Sequence, residues 1–289
     1  MTTEDDGGAA ESLVARCLLD PGYLTSVRDG AGDAPEVNGQ PLDLERVRLL
    51  GGLITKVQHN DLWEDFPFTR ASLKLLGAEL AFFADYRDEF LLARRDQPDR
   101  TARVGRFLDR LDRWLRSRSS PAAPVARDMA SYERVHWQLG LDLVTAEAGP
   151  VTTEDESVPT NEPATASAGS GVRPNGLLRV RGFDHDPTEI MAVIRRAGDL
   201  ADVRPRSTFL CFWARPEPRE IRVVEIDPLA ALVLDDLGHG IPVDDLQRRL
   251  HETDPEVSPD AVARVIDAAA DHGMLIGDLR VATTAGASP

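Results

Sequence analysis

Cysteine is scarce in this 289-residue chain, which contains only Cys17 and Cys211, each within an apolar run. Two such isolated thiols do not build a disulfide framework or a cysteine-based metal site, and we expect both to be buried. The first residues, MTTEDDGGAAE, lack the basic and apolar segments of a secretory signal. No apolar run approaches the ~20 residues that a membrane span needs. We therefore expect a cytoplasmic protein with no membrane partner.

Positive charge is also in short supply. The chain has 33 basic against 49 acidic residues, a formal net charge of -16. Attraction to nucleic acid or to an anionic membrane needs an excess of positive charge, so the balance argues against nonspecific binding to either.

The sequence also lacks recognisable catalytic motifs. It has no glycine-rich phosphate loop, no Walker pattern and no nucleophile elbow. Its six histidines are not paired at the spacings of common metal-ligand sets. His59 lies beside acids in QHNDLWEDF, but capping and surface hydrogen bonding explain this cluster more simply than a metal. We expect a non-catalytic chain with no metal and no cofactor of its own.

One segment separates two regions of different character. Residues 146–172 contain five acids, no base before Arg173 and almost nothing large and apolar, so we predict an acidic flexible linker. It divides a domain at 1–145 from a second domain at 173–282. Residues 283–289 are predicted to be a disordered tail.

Helical spacing dominates the region before the linker. One apolar stripe at spacings of three and four comprises Val47, Leu50, Leu53, Ile54 and Val57. Another comprises Val104, Phe107, Leu108, Leu111, Trp114 and Leu115. These stripes predict an N-terminal helical bundle.

After the linker the period changes to that of strands. GLLRVRGFD (176–184) alternates, and two further runs rich in β-branched and aromatic residues follow at 209–213 and 221–226. Asp227-Pro228 and Ser258-Pro259 then begin two helices, with a third helix at about 242–251 between them. The whole chain is predicted to be α+β: a helical bundle followed by a winged-helix-like domain with a small antiparallel sheet and three helices.

A winged helix could bind DNA, so a transcriptional regulator is the alternative function. The candidate recognition helix, 259–273, has Arg264 as its only base, whereas a helix that reads DNA needs several basic or amide side chains. DNA binding is therefore the weaker hypothesis.

The segments FLCFWARPEPREIRVVEIDPLAALVLDDLGHGIPVDDLQRRL and VARVIDAAADHGMLIG resemble the peptide-recognition elements of ribosomal-peptide biosynthesis. ARCLLDPGYL, VQHNDLWEDFPFTRASLKLLG, FLDRLDRWL and YERVHW are similar to the partner proteins of multinuclear non-haem iron oxidative enzymes. The methanobactin and 3-thiaglutamate pathways contain such systems.

The resemblance implies a division of labour between the two domains. The helical domain would dock on a TIM-barrel iron enzyme, which would hold the iron, and the C-terminal domain would bind the leader region of a precursor peptide. The docking candidates lie around LWEDFPF, although core packing is the alternative explanation for its aromatic residues. They are His59, Asp61, Trp63, Phe66 and Phe68.

A peptide laid beside an exposed strand at 221–226 would complete its backbone hydrogen bonds, with a groove formed by the helix after Ser258. The alternative is an ordinary sheet that only covers its own helices. The predicted peptide-binding residues are Arg219, Ile221, Arg222, Val223, Val224, Glu225, Ile226, Val262, Val265 and Ile266.

Overall fold

A computed structural model describes residues 5–20, 22–30, 35–37, 40–95, 99–148, 172–215 and 219–276. The described residues form eleven α-helices and small antiparallel sheets, which confirms the predicted mixed α+β class. They fall into two compact units. Unit 1 comprises Met1–Arg134 with Pro187–Pro205, and unit 2 comprises Val135–Asp186 with Arg206–Pro289.

This division differs from the predicted domains 1–145 and 173–282 in two places. Residues 135–145 group with unit 2, and Pro187–Pro205 groups with unit 1, because its apolar side chains join the core of that unit. Most of the predicted linker, 149–171, and the predicted tail, 283–289, lie outside the described residues.

Unit 1 is largely helical. Its elements are α1 (Asp5–Leu19), α2 (Tyr23–Arg28), β1 (Glu36–Val37), β2 (Gln40–Pro41), α3 (Leu44–Gln58), α4 (Pro67–Leu75), α5 (Glu79–Arg95), α6 (Arg100–Arg116), the first half of α7 (Ala122–Ala148) and α8 (Pro187–Arg195). Short 3-10 turns lie at Asn60–Glu64 and Leu200–Asp202.

The core of unit 1 is rich in aromatic side chains. The fully or almost fully buried rings include Trp63, Phe66, Phe82, Phe83, Tyr86, Phe107 and Trp114. Several of them meet edge to face, the geometry that aromatic quadrupoles favour. The predicted stripe on α6 is confirmed, since all six of its residues are buried.

Helix α3 buries the side opposite to the one its aliphatic stripe predicts. Val47, Gly51, Gly52 and Thr55 are buried, whereas most of the large aliphatic side chains face outward. The exposed fractions are 44% for Leu50, 47% for Leu53, 41% for Ile54 and 67% for Val57. The predicted helix is correct, but the stripe is not a core face.

Unit 2 contains the predicted strands and helices. After the second half of α7 come β3 (Arg173–Pro174), β4 (Leu178–Phe183), β5 (Thr208–Arg215), β6 (Glu220–Ile226), α9 (Pro228–Gly238), α10 (Val243–Thr253), α11 (Pro259–Asp271) and β7 (Leu275–Ile276). Strands β4, β5 and β6 form an antiparallel sheet in that order, and β3 pairs with β7.

Local capping explains where two of these helices begin. The Asp227 side chain accepts a hydrogen bond from the Ala230 amide at 2.8 Å, and Ser258 accepts one from the Ala261 amide at 3.2 Å. A proline follows each cap at the first helical position, where its missing N–H costs nothing.

The β4–β6 sheet has one face on α9–α11 and the other near α7. The first face contributes Leu178, Cys211 and Trp213 to a core that also contains Val233, Leu237, Leu246, Val262 and Ile266. On the second face Phe212 meets the ring of His136 with centroids 5.9 Å apart. Within the described ranges, every helix is too short or too polar to cross a lipid bilayer.

Candidate functional site

An open groove of about 490 Å³ lies between strand β6 and helix α11 in unit 2. The helix side is lined by Ala261, Arg264, Val265, Ala268, Ala269 and His272. The remaining lining residues are Val224, Glu225, Ile226, Asp227, Leu229, Ala230, Leu234 and Met274. The floor is apolar, and the charged residues Glu225, Asp227 and Arg264 lie along it. The groove can therefore bury apolar side chains of a ligand and form ion pairs with charged ones.

Strand β6 borders this groove as an edge strand, because β5 is its only neighbour among the described strands. The Ala214 amide donates to the Leu177 carbonyl at 3.0 Å, so Ala214 and every second residue of β5 point their backbone groups at β4. The intervening residues of β5, including Trp213 and Cys211, point their backbone groups at β6, where their partners are Arg222 and Val224. The backbone groups of the alternate β6 residues must then face outward. These are Ile221, Val223 and Glu225.

The side chains of β6 divide between the two faces as the pleat requires. Val224 lies opposite Cys211, whose side chain is in the core with α9–α11, so Val224 and Ile226 face the groove. Val224 is 38% exposed there, which is high for a valine on the core side of a sheet. Val223 and Glu225 share the other face, and Arg206 donates to Glu225 at 2.5 Å.

The structure brings together some of the predicted peptide-binding residues. Val224, Glu225, Ile226 and Val265 line the groove, and Ile221, Arg222 and Val223 lie on the same edge strand, with Arg219 just before it. Val262 and Ile266 are corrections: both are fully buried in the core and cannot contact a guest.

Sequence reasoning missed Arg264, Ala268 and His272. Ala261 lies four residues before Val265, and Ala268 and His272 lie three and seven residues after it, so they share one side of the helix. Arg264 also lines the groove on this side. That count was available from the sequence. Choosing the apolar stripe of α11 selected the core side instead.

The predicted docking patch around LWEDFPF is mostly core, which is a second correction. His59 and Phe66 are fully buried and Trp63 is 3% exposed, so they cannot form an exposed patch. Phe68 packs against the core of unit 1 beneath the guanidinium of Arg195. Asp61 is half-exposed and pairs with Arg103 at 2.5 Å.

His59 sits in a cage of aromatic rings. Its Nδ1 donates to the Thr55 carbonyl at 2.8 Å, and its Nε2 has no hydrogen-bond partner among the described residues. The nearest ring, Phe90, has its centroid 4.2 Å away. Burial lowers the pKa of His59 to about 4, against the smaller opposing effect of the carbonyl bond. His59 is therefore a neutral core residue at physiological pH.

A group of exposed apolar side chains in unit 1 lies on α3 instead. Leu50, Leu53, Ile54 and Val57 recur at spacings of three and four and so form one face, which we call the α3 aliphatic face. A contiguous exposed apolar surface of this kind is typical of protein interaction sites.

Unit 1 also has a polar cavity of about 580 Å³ between α2, α3, α5 and α6. Its charged side chains engage one another: Arg48 pairs with Asp85 at 2.8 Å, and Arg87 pairs with Asp88 at 2.6 Å. Within the described parts of the chain, no group of three or more histidine, cysteine or acidic side chains is placed to hold a metal ion.

Comparison with known proteins adds no assignment. No family model matches the chain, and no curated protein sequence matches it.

Proposed function

We propose that this chain is a non-catalytic partner protein that binds an extended peptide in the β6–α11 groove. The peptide would be the leader region of a ribosomally made precursor, presented to an iron-dependent oxidative enzyme of the TIM-barrel class. The observation that carries the proposal is the coincidence of an open groove with a strand edge that is unpaired among the described residues.

Strand addition suits this site physically. An extended peptide bonds its backbone to the outward groups of Ile221, Val223 and Glu225, and alternate side chains enter the groove. Covering the edge also removes the exposed backbone groups that make edge strands prone to aggregation. The order of a three-stranded sheet followed by three helices and a short strand supports a winged-helix-like peptide-recognition arrangement.

The α3 aliphatic face is the surface of unit 1 that we propose for the enzyme. Its four large side chains are exposed, in contrast to the buried residues around Trp63. Binding of a partner over these four side chains would be favourable, because it removes apolar surface from water.

The charges of α11 favour a peptide over DNA. Arg264 is the only base of this helix and can meet one acidic side chain of a peptide in the groove. A DNA backbone would also bring phosphates close to Asp260, Asp267 and Asp271, which lie outside the groove lining. Like charges at such an interface cost binding free energy, so the transcriptional regulator is the weaker proposal.

The test uses the short precursor gene expected beside the gene for this chain. Val223→Pro removes an outward backbone donor at an edge position, where proline is tolerated, and should abolish binding of that precursor in fluorescence anisotropy. Val223→Thr keeps the N–H and should bind like wild type. Val224→Pro removes a bond to β5 and should unfold the sheet.

Circular dichroism separates loss of the guest from loss of the fold. A folded Val223→Pro variant that binds the precursor as tightly as wild type would place the peptide elsewhere. The absence of any precursor gene and iron oxidase gene beside this one would count against the whole proposal.

A further inference from the structure

The groove side of α11 is built mainly from small residues. Ala261, Val265 and Ala268 recur along it at spacings of four and three, and Ala269 lies beside them. Alanine side chains add little bulk, so this side leaves room above the helix for the side chains of another segment. Arg264 stands among these small residues as a long and permanently charged side chain.

Arg264 has no ion-pair partner among the described residues. Asp260 and Asp267 lie four residues before it and three after, from where an acid can pair with a base on a helix, yet neither does so. The neighbouring arginines of α10 behave differently: Arg248 pairs with Asp245, and Arg249 pairs with Asp236.

The acids that line the groove are already engaged. Arg206 donates to the Glu225 carboxylate at 2.5 Å. Asp227 accepts from the Ala230 amide at 2.8 Å and sits at the N-terminus of α9, where the helix dipole favours a negative charge. Arg264 is therefore the charged side chain of the groove lining that has neither an ion pair nor a capping role among the described residues.

The strand edge fixes which guest side chains reach this charge. Successive side chains of an added strand point to opposite faces, so those lying on the same face as Val224 and Ile226 point toward α11. Guest residues that enter the groove are thus two positions apart. One guest side chain can contact the apolar floor while the side chain two positions away contacts Arg264.

Covering Arg264 makes the choice of guest selective. A guest that removes water from the guanidinium without supplying an acceptor leaves a desolvated, unpaired charge, which is costly. A carboxylate restores the lost hydrogen bonds and can bond the planar guanidinium through two parallel bonds. A basic side chain at the same place is repelled.

We infer that the β6–α11 groove selects extended peptides that carry an acidic side chain opposite Arg264 and an aliphatic side chain two residues away. Arg264 is the residue that determines this preference. The inference rests on the proposed function, because it needs a peptide on the β6 edge.

The experiment selects peptides on the full-length chain from a phage-displayed library of random 12-residue sequences. Enriched sequences should contain Asp or Glu two positions from Leu, Ile or Val. Synthesised with a fluorescent label, such a peptide should bind about tenfold more weakly when its acid becomes the matching amide, as expected for a charge-assisted hydrogen bond.

Charge reversal on the protein gives the matched comparison. Arg264→Glu should weaken the selected peptide about tenfold or more, and a peptide with Lys in place of its acid should recover binding on that variant. Arg248→Glu changes the net charge equally but lies on α10, away from the groove lining, and should leave the dissociation constant unchanged.

Two failures are distinguishable. If no peptide is enriched, or if enriched peptides bind Val223→Pro as well as wild type, the proposed function fails and the preference for acids falls with it. In the second failure, binding requires the Val223 N–H while the dissociation constant is the same for the acidic and the amide peptide and for wild type and Arg264→Glu. In that case the proposed function stands and the role of Arg264 is overturned.

Discussion

Gly52 of α3 lies against Ala84 of α5 so closely that a Cβ at Gly52 would come 2.7 Å from the Ala84 backbone nitrogen. Gly51 is similarly close to Arg87, with a built Cβ 2.8 Å from its Cδ. Gly52 lets the backbones of α3 and α5 approach each other, and Gly51 leaves room for the Arg87 side chain. These close contacts also explain why α3 buries the side that carries Gly51 and Gly52 and leaves its aliphatic face exposed.

Gly52→Ala should therefore destabilise unit 1, although alanine is the better helix former. The clash is with backbone, which cannot move aside cheaply, so we expect a net loss of about 1–3 kcal/mol in the free energy of unfolding. Gly105→Ala in α6 is the matched control, because a Cβ there meets nothing within 4 Å. It should stabilise by about 0.5–1 kcal/mol. Urea denaturation of both variants measures the difference, and equal stabilities would contradict this account of α3.

The α3 aliphatic face should tolerate polar substitution. Leu53→Gln with Val57→Gln should change stability by less than about 0.5 kcal/mol, because both side chains are largely exposed. The same double variant should lose binding to the partner enzyme, as measured by isothermal titration calorimetry. Leu19→Gln on α1 is the control, since Leu19 is 71% exposed but is not part of this face. Unchanged docking by the double variant would move the interface elsewhere.

His59 should make stability depend on pH in mildly acidic solution. The unfolded chain takes up a proton at His59 near its ordinary pKa of 6.5, whereas the folded chain does so only near 4. The free energy of unfolding should thus be unaffected by this group above pH 6.5. It should fall by up to about 3 kcal/mol as the pH drops from 6.5 to 4.

His59→Leu should remove that slope while lowering stability at neutral pH through the lost bond to Thr55. The difference between wild type and variant isolates His59 from other groups that titrate in the same range. His136 is one of them, because burial lowers its pKa as well. A pH-independent difference between the two proteins would mean that His59 is hydrated in the folded state.

Cutting the chain within residues 149–171 should not separate two independent folded pieces. The core of unit 1 joins Ala122, Val125 and Met129 of α7 to Ile190 and Val193 of α8, which lie on opposite sides of residues 149–171. With a specific protease site introduced in that segment, the two fragments should elute together in gel filtration. They should separate only in denaturant. Elution as two folded fragments without denaturant would contradict the division into units.

Local signals in the sequence predicted much of unit 2. Asp227-Pro228 and Ser258-Pro259 specify helix starts within a few residues, because capping is a contact between near neighbours in the chain. The three strands were also evident from their β-branched and aromatic runs. The edge position of β6 and the groove beside α11 were expected from the resemblance to peptide-recognition elements, not from these local signals.

The errors arose where the outcome depends on contacts between distant segments. Counting large apolar residues assigned a core face to α3 and ignored Gly51 and Gly52, whose lack of a side chain decides the packing. Val262 and Ile266 were predicted to line the groove because periodicity cannot tell which apolar side of α11 faces its own sheet. The membership of α8 in unit 1 depends on Ala122, Val125 and Met129 of α7, which lie far earlier in the chain.

The interleaved segments of the two units have a consequence for biosynthesis. A ribosome releases the chain from its N-terminus, and domains made of one continuous segment can fold as soon as they emerge. Unit 1 lacks Ile190, Val193, Leu200 and Val203 until translation has passed Pro205. By then residues 135–186 of unit 2 have already been made. The N-terminal helices therefore cannot complete their core ahead of the rest, and the two units must mature within the same late interval of synthesis.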